Sequence, residues 1–127
     1  SGFDVQLHSH RHSGVKMLDN HDLTNSEIEE NRSWLKNASG GPFVHYCYPS
    51  GEYHDRQLPW LRDLGIVSAT TCQYGVNYIG TNPLQLNRIL DGEHISQIRF
   101  EADLCGIGLF TYNCKSTIKS VWSIFKH

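Results

Sequence analysis

Residues 3–12 read FDVQLHSHRH, and the rest of the chain is interpreted outward from this stretch. Apolar residues at positions 3, 5 and 7 alternate with polar ones, the period-two pattern of a half-buried strand. Three histidines follow at its predicted end. Neutral imidazoles suit zinc and related metals, so His8 and His12 are the first candidates for metal ligands. The alternative is a solvated cluster or the remnant of a tag, since eight histidines in 127 residues is a rich content.

Length and charge restrict the class of protein. A chain of 127 residues fits one domain, with a core just large enough to fold. The net charge of −2 gives no electrostatic basis for binding nucleic acid or an anionic membrane surface. No stretch is long and apolar enough to span a bilayer, and no signal peptide is visible at the start. The chain is expected to begin inside a domain, so the compartment, bacterial cytoplasm or cell envelope, stays open.

The cysteine spacing indicates neither a disulfide pattern nor a metal-binding motif. The chain contains no C-x-x-C pair, and spacing alone cannot separate thiols from disulfides. Buried thiols are favoured over disulfides for all four: Cys47, Cys72, Cys105 and Cys114.

Helix signals follow the histidines. Thr24 stands three residues before Glu27, the spacing of a capping box, and Leu23 and Ile28 are placed as a hydrophobic staple. A helix is therefore expected over residues 25–37. Its buried side is expected to carry Ile28, Trp34, Leu35 and Ala38.

Two further strands and a short helix are predicted next. Residues 43–48, FVHYCY, and residues 66–71, IVSATT, are rich in the β-branched and aromatic residues that favour strands. Between them, Asp55 can cap a helix that ends at Leu64, with Gly65 as the residue after its C-cap.

The remaining sequence is less decisive. Residues 73–82 are expected to form a long loop, and residues 95–101 either a strand or the start of a helix. Apolar residues recur at helical spacing over residues 115–127, which predicts an amphipathic terminal helix packed on a core.

This order of elements is typical of an α/β domain with parallel strands. In such folds reactive residues collect at the carboxyl ends of the strands. The histidines, residues 47–51 and residues 70–73 each follow a predicted strand, so we expect these three segments to meet at one edge of the sheet and form a pocket.

Two motifs resemble those of the polysaccharide deacetylases, the NodB-homology family of carbohydrate esterases. His8-Ser9-x-x-His12 is similar to a family motif whose outer histidines hold the metal. Tyr48-Pro49-Ser50-Gly51 is similar, in part, to a substrate-lining motif that usually begins with arginine, and Cys47 stands at that arginine's position. Residues 64–71 also resemble a strand of the family.

The resemblance is incomplete at the amino-terminal side. The family's Asp-Asp motif, which supplies the catalytic base and the third metal ligand, has no counterpart, because no Asp-Asp pair occurs in the chain. The implied fold is an incomplete, distorted (β/α) barrel with parallel strands inside and helices outside. The chain, residues 1–127, is therefore interpreted as one partial domain that lacks its amino-terminal strands.

The activity implied by the resemblance is metal-dependent removal of N-acetyl groups from a polysaccharide or related amide. Zinc or another divalent transition metal would activate water, and a histidine acid would protonate the departing amine. Catalytic zinc usually keeps three protein ligands. Within this chain the third is His10, Asp4, Asp19 or a water, and the family pattern bends the chain so that His10 lies outside.

Other polar and aromatic residues are weighed individually. His45 is a weak candidate for the acid, and a hydrogen-bonded core histidine is the favoured alternative. His94 is expected at the surface. Arg11 either orients a carboxylate or is solvated. Tyr74 is a candidate for stacking on a sugar, whereas Trp60 is expected to pack.

Three functions are consistent with the sequence. The first is an N-deacetylase domain that is incomplete here and has negligible turnover by itself. The second is an inactive remnant that binds carbohydrate or metal. The third is a small metal-binding or purely structural α/β domain in which H-S-x-x-H is coincidental.

Overall fold

The computed structural model describes residues 3–108, which divide between two compact units. The first unit comprises residues up to Gln73 together with Asn77–Arg88, and the second comprises Tyr74–Val76 and residues from Ile89 onward. No helix within residues 3–108 is long and apolar enough to cross a membrane. The predicted terminal helix over residues 115–127 lies outside the described residues.

A three-stranded sheet has the order β1-β2-β3, with β1 at His45–Cys47, β2 at Ser68–Tyr74 and β3 at Leu86–Arg88. Strands β1 and β2 are parallel, with Tyr46 opposite Ala69. The predicted α/β class with parallel strands is confirmed at this level, and the two strands predicted over residues 43–48 and 66–71 exist with shifted ends.

The strand predicted over residues 3–7 is reduced to one residue. Leu7 alone forms a parallel bridge, to Tyr46, and Phe3 and Val5 are exposed. The Gln6 side chain explains why pairing stops there. Its Oε1 accepts hydrogen bonds from the Val44 and His45 amides, so a side chain satisfies donors that a continuing strand would have paired with its backbone.

Helix α1, His21–Ala38, begins earlier than predicted. Asn20 is its N-cap, and the Asn20 side chain accepts from the Leu23 amide. The predicted capping box is wrong, because Thr24 and Glu27 both lie inside the helix and are buried, with the Thr24 hydroxyl donating to the Met17 carbonyl. The predicted hydrophobic staple of Leu23 and Ile28 is wrong for the same reason, because the N-cap is Asn20 and not Thr24.

The buried face of α1 was predicted in part. Ile28 and Leu35 are buried, whereas Ala38 is exposed and Trp34 is 61% exposed. Trp34 lies six residues after Ile28, about 240° around a helix of 3.6 residues per turn, and so falls outside the apolar stripe.

Helix α2, Gln57–Asp63, connects β1 to β2. It starts after Arg56 without a side-chain cap, so the predicted Asp55 cap is wrong. Gly65 follows the C-cap at a φ of 74° and donates to the Arg62 carbonyl, as predicted. The core of the first unit lies between these helices and the sheet. Its largest fully buried side chains include Leu7, Ile28, Tyr48, Leu61 and Leu84.

The second unit contains helix α3, Gln97–Leu104, which settles the ambiguity over residues 95–101 in favour of a helix. Ser96 is its N-cap and accepts from the Arg99 amide. The loop predicted over residues 73–82 begins two residues later than predicted, because β2 continues to Tyr74.

Candidate functional site

His8 and His12 lie together just beyond the Leu7 bridge. Their ring centroids are 5.1 Å apart, with the ring planes at 63°. The chain turns between them because Ser9 and His12 both have positive φ, 67° and 56°. The Ser9 hydroxyl accepts the His12 amide at 3.1 Å and closes this turn. The predicted bend is therefore present, and it brings the two candidate ligands side by side.

The orientation of the His8 ring is set by the backbone of β1. His8 Nδ1 lies 2.8 Å from the Cys47 carbonyl oxygen. A carbonyl only accepts, so Nδ1 carries the proton and the neutral ring keeps its lone pair on Nε2. Metal-binding histidines commonly have their second nitrogen held in this way. The His8 amide also donates to Asn31 Oδ1 of α1 at 3.0 Å, which fixes the backbone.

The buried carboxylate of Glu27 anchors the rest of the loop. Its Oε2 accepts the amides of His10 and Arg11 at 3.1 and 2.8 Å, and its Oε1 accepts from Ser13 Oγ at 3.0 Å and from the Arg11 guanidinium at 3.2 Å. Burial by itself would raise the pKa of Glu27. The hydrogen bonds from Arg11 and Ser13 outweigh burial, so that pKa lies below the ordinary 4.5. A charged carboxylate thus holds the loop to α1.

Arg11 contacts carboxylates, which is the first of the two roles expected from the sequence. Its guanidinium pairs with Glu27 and also with Glu30, and these contacts raise the pKa of Arg11. The Glu30 hydrogen bond is the largest cause of that rise. Arg11 therefore binds the carboxylates that position the histidine loop.

The expected sources of a third ligand lie elsewhere. Asp4 accepts from Gln6, and Asp19 accepts from Arg56. His10 Nε2 lies 3.9 Å from Glu30 Oε2 on the α1 side of the loop. Among residues 3–108, no group of three or more histidine, cysteine, aspartate or glutamate side chains is placed to hold a metal ion.

The predicted substrate-lining turn follows β1. Tyr48 and Pro49 are buried, and the Tyr48 hydroxyl donates to the Leu84 carbonyl at 2.9 Å. Ser50 is exposed at a φ of 57°, and Gly51 is half-buried at a φ of 71°. Only the second half of the turn therefore presents atoms to solvent. Burial raises the pKa of Tyr48 strongly, so its hydroxyl is a neutral structural donor.

Gly51 is held against β2. A Cβ at this position would lie 2.4 Å from both the Cβ and the backbone nitrogen of Cys72. Only glycine allows this approach, which joins the turn after β1 to the carboxyl end of β2.

An arginine beside this turn was not anticipated from the sequence. Arg88, at the end of β3, donates to Cys72 Sγ at 2.8 Å and to Cys47 Sγ at 3.7 Å. Cys47 occupies the position where the resembled motif usually has arginine, so a guanidinium from another strand lies beside that position. No local pattern indicates this contact, because Arg88 and Cys47 are 41 residues apart in sequence.

The three cysteines within residues 3–108 are free thiols: Cys47, Cys72 and Cys105. The expected burial is wrong for two of them, because Cys72 and Cys105 are exposed and Cys47 is half-buried. Cys114 lies outside the described residues.

The other candidates are placed away from the histidine pair. His45 is exposed and its Nδ1 lies 2.7 Å from Ser68 Oγ, so it is hydrogen-bonded as expected but not in the core. It begins β1, whereas His8 contacts the strand's end. Trp60 packs edge-on against His21, at 5.2 Å between ring centroids.

Tyr74 and His94 belong to the second unit, where both line a cavity of about 630 Å³. His94 is exposed, as predicted. Asp103 is 3% exposed, and hydrogen bonds from Tyr74 and Arg99 lower its pKa despite burial. Burial, followed by the contact with Asp103, raises the pKa of Tyr74.

Parallel strands connected through a helix, with a histidine loop and a turn at their carboxyl ends, define a mixed α/β domain with a loop-built candidate site. Residues 1–69 match the polysaccharide deacetylase family, a match that includes both the H-S-x-x-H loop and the Tyr48–Gly51 turn. Because this is more than half of the 127 residues, the chain belongs to the polysaccharide deacetylase family. Neither a curated protein nor a solved structure matches the chain.

Proposed function

We propose that the chain is part of a metal-dependent hydrolase that removes N-acetyl groups from a polysaccharide or related amide. Family membership supports the reaction class and an acetylated carbohydrate as substrate. The proposed metal site is supported by the close contact of the His8 and His12 rings and by the hydrogen bond of His8 Nδ1 to the Cys47 carbonyl, which leaves Nε2 to bind a metal. The proposed fold of the whole domain is a distorted (β/α) barrel, and the parallel β1–α2–β2 unit fits it.

The donor set fits zinc or another divalent transition metal in part. His8 and His12 would hold the ion as neutral imidazoles, and no third ligand is available from the side chains within residues 3–108. When bound, such a cation supplies Lewis acidity that activates water and polarises the acetamide carbonyl.

The chain's own residues then have defined tasks. Glu27 and Asn31 hold the histidine loop on α1, and the Cys47 carbonyl keeps the proton of His8 on Nδ1. The exposed Ser50 and the backbone of Gly51 form the edge on which the sugar would lie. His45 remains a weak candidate for the acid and Tyr74 for stacking on the substrate.

Zinc titration tests the candidate ligands. We expect His8→Ala and His12→Ala each to weaken zinc binding at least roughly tenfold, because each removes one of two imidazole donors. Isothermal titration calorimetry measures the affinities. His94→Ala is the matched control, since His94 is exposed in the other unit. Equal losses from all three variants would mean that the histidines form no defined site.

A second candidate is an inactive remnant that binds carbohydrate or metal. It is favoured by the lack of a carboxylate base beside the His8–His12 pair within the described part of the chain. Reading the parent gene upstream of Ser1 separates the two: a strand ending in Asp-Asp supports the hydrolase, and its absence supports the remnant.

A further inference from the structure

Helix α1 presents a tryptophan to solvent beside the histidine loop. Trp34 is 61% exposed and lines a shallow cavity of about 260 Å³, hereafter the Trp34 cavity. A single exposed apolar side chain is ordinary in a folded protein. Trp34 differs because the other lining residues are all polar: His10, Glu30, Ser33 and Asn37.

This combination suits a sugar ring. A pyranose has an apolar face of C–H groups, which can lie on an aromatic ring, and a rim of hydroxyls that donate and accept hydrogen bonds. The Ser33 hydroxyl and the Asn37 amide can each donate and accept, and the Glu30 carboxylate accepts. Ser26 and Arg11 already bond to Glu30, one to each oxygen, but a carboxylate offers about four lone-pair positions.

The charge of the cavity narrows the ligand further. Hydrogen bonds from Ser26 and then Arg11 lower the pKa of Glu30, so it is ionised at neutral pH. A carboxylate in the wall repels sugars that carry their own carboxylate, and it accepts hydrogen bonds from neutral hydroxyls and acetamido N–H groups.

The Trp34 cavity and the candidate metal site share the histidine loop. His10 lies in the same loop, between His8 and His12, and its Nε2 is 3.9 Å from Glu30 Oε2. Asn31, the residue after Glu30, accepts the His8 amide. All of these residues belong to the first unit.

We propose that the Trp34 cavity is a carbohydrate subsite that holds a neutral pyranose unit against the indole ring, on the α1 side of the loop that carries His8 and His12. This inference rests on the proposed function for its substrate class. The inference adds to that function a binding site on α1 for another sugar unit of the same polysaccharide.

Calorimetric titration with an N-acetylglucosamine tetramer in the presence of a chelator tests the subsite. We expect measurable binding by the unmodified chain and a loss of roughly tenfold or more for Trp34→Ala, because the stacking surface is removed. Trp34→Tyr keeps a ring and should bind with intermediate affinity. Lys36→Ala, an exposed position of α1 outside the cavity, should bind as the unmodified chain does.

The outcomes separate the subsite from the catalytic proposal. Because the chelator removes metal, the part of the tetramer affinity that is lost in Trp34→Ala reports on the Trp34 cavity, whereas zinc affinity reports on His8 and His12. No binding by the unmodified chain, an unchanged affinity of Trp34→Ala, or an equal loss in Lys36→Ala would overturn the subsite. Tighter binding of a galacturonic acid tetramer would also overturn it. Circular dichroism of each variant establishes that it is folded.

Discussion

The buried Glu27 carboxylate determines the position of the histidine loop more than any other single residue. It is fully buried and accepts two backbone amides, one hydroxyl and one guanidinium group. In the sequence, the spacing Thr24-x-x-Glu27 predicts a capping box. The spacing was fulfilled by chance, since the donors that Glu27 binds lie 14 to 17 residues earlier in the chain.

Replacing this carboxylate should destabilise the fold. We expect Glu27→Gln to lower the free energy of unfolding by about 2 kcal/mol or more at pH 7. The glutamine NH2 group would replace one carboxylate oxygen and would face buried N–H and O–H donors, with which it cannot form hydrogen bonds. Urea unfolding measures the change. Glu29→Gln, an exposed position on the same helix, should change stability by no more than about 0.5 kcal/mol.

The same residue makes stability depend on pH. The folded pKa of Glu27 is below 4.5, so its contribution is complete above the unfolded pKa and is lost as pH falls through the folded value. The stability difference between the unmodified chain and Glu27→Gln should therefore shrink below pH 4.5. A difference that is constant from pH 7 to pH 3 would show that folding does not shift the pKa of Glu27.

At the scale of elements, sequence patterns predicted which segments become helices and strands better than where they begin. Helix α1 begins four residues before its predicted start because Asn20 caps it; Asn is a preferred N-cap, and Asp22 follows in the first turn. The opening strand failed because Gln6 satisfies the neighbouring amides with its side chain. Periodicity cannot report such a contact.

Two glycines allow the contribution of close packing to be separated from backbone strain. Gly51 and Gly65 have similar φ values, 71° and 74°. A Cβ atom added at Gly51 would lie 2.4 Å from atoms of Cys72, whereas a Cβ atom added at Gly65 would meet no atom within 4 Å. Gly65→Ala should cost about 1 kcal/mol for the left-handed conformation. Gly51→Ala should cost about 1–3 kcal/mol more, because β2 must move.

Urea unfolding of both variants measures this difference. Equal losses of stability would mean that the turn after β1 can move away from β2 at little cost. That result would remove the reason for glycine at position 51.

At the scale of the whole molecule, the predicted order of strands and helices brings three polar segments of the chain together. The pocket was expected where polar residues follow parallel strands, and the His8–Cys47 and Gly51–Cys72 contacts join the first, second and third predicted segments there. Arg88 and the Trp34 cavity were missed. Both depend on contacts between distant parts of the chain, for which a single sequence has no local signal.

The chain as given should release acetate at a negligible rate from an N-acetylglucosamine oligomer. The reason is chemical: the His8–His12 pair has no carboxylate base beside it within residues 3–108, and no Asp-Asp pair occurs in the sequence. An enzyme-coupled acetate assay with added zinc measures this. Turnover abolished by His12→Ala would refute the expectation, because it would require a base from within these 127 residues.

The hydrogen bonds from the loop amides to Glu27, and from the His8 amide to Asn31, have a consequence for protein engineering. The histidine loop cannot be grafted onto another scaffold as residues 8–12 alone, because hydrogen bonds from α1 hold part of its conformation. Inserting a single residue upstream of Glu27 within the helix would swing the two supporting side chains by about 100° around its axis. A graft of this metal-binding unit must therefore carry the loop and His21–Ala38 together, in their original phase.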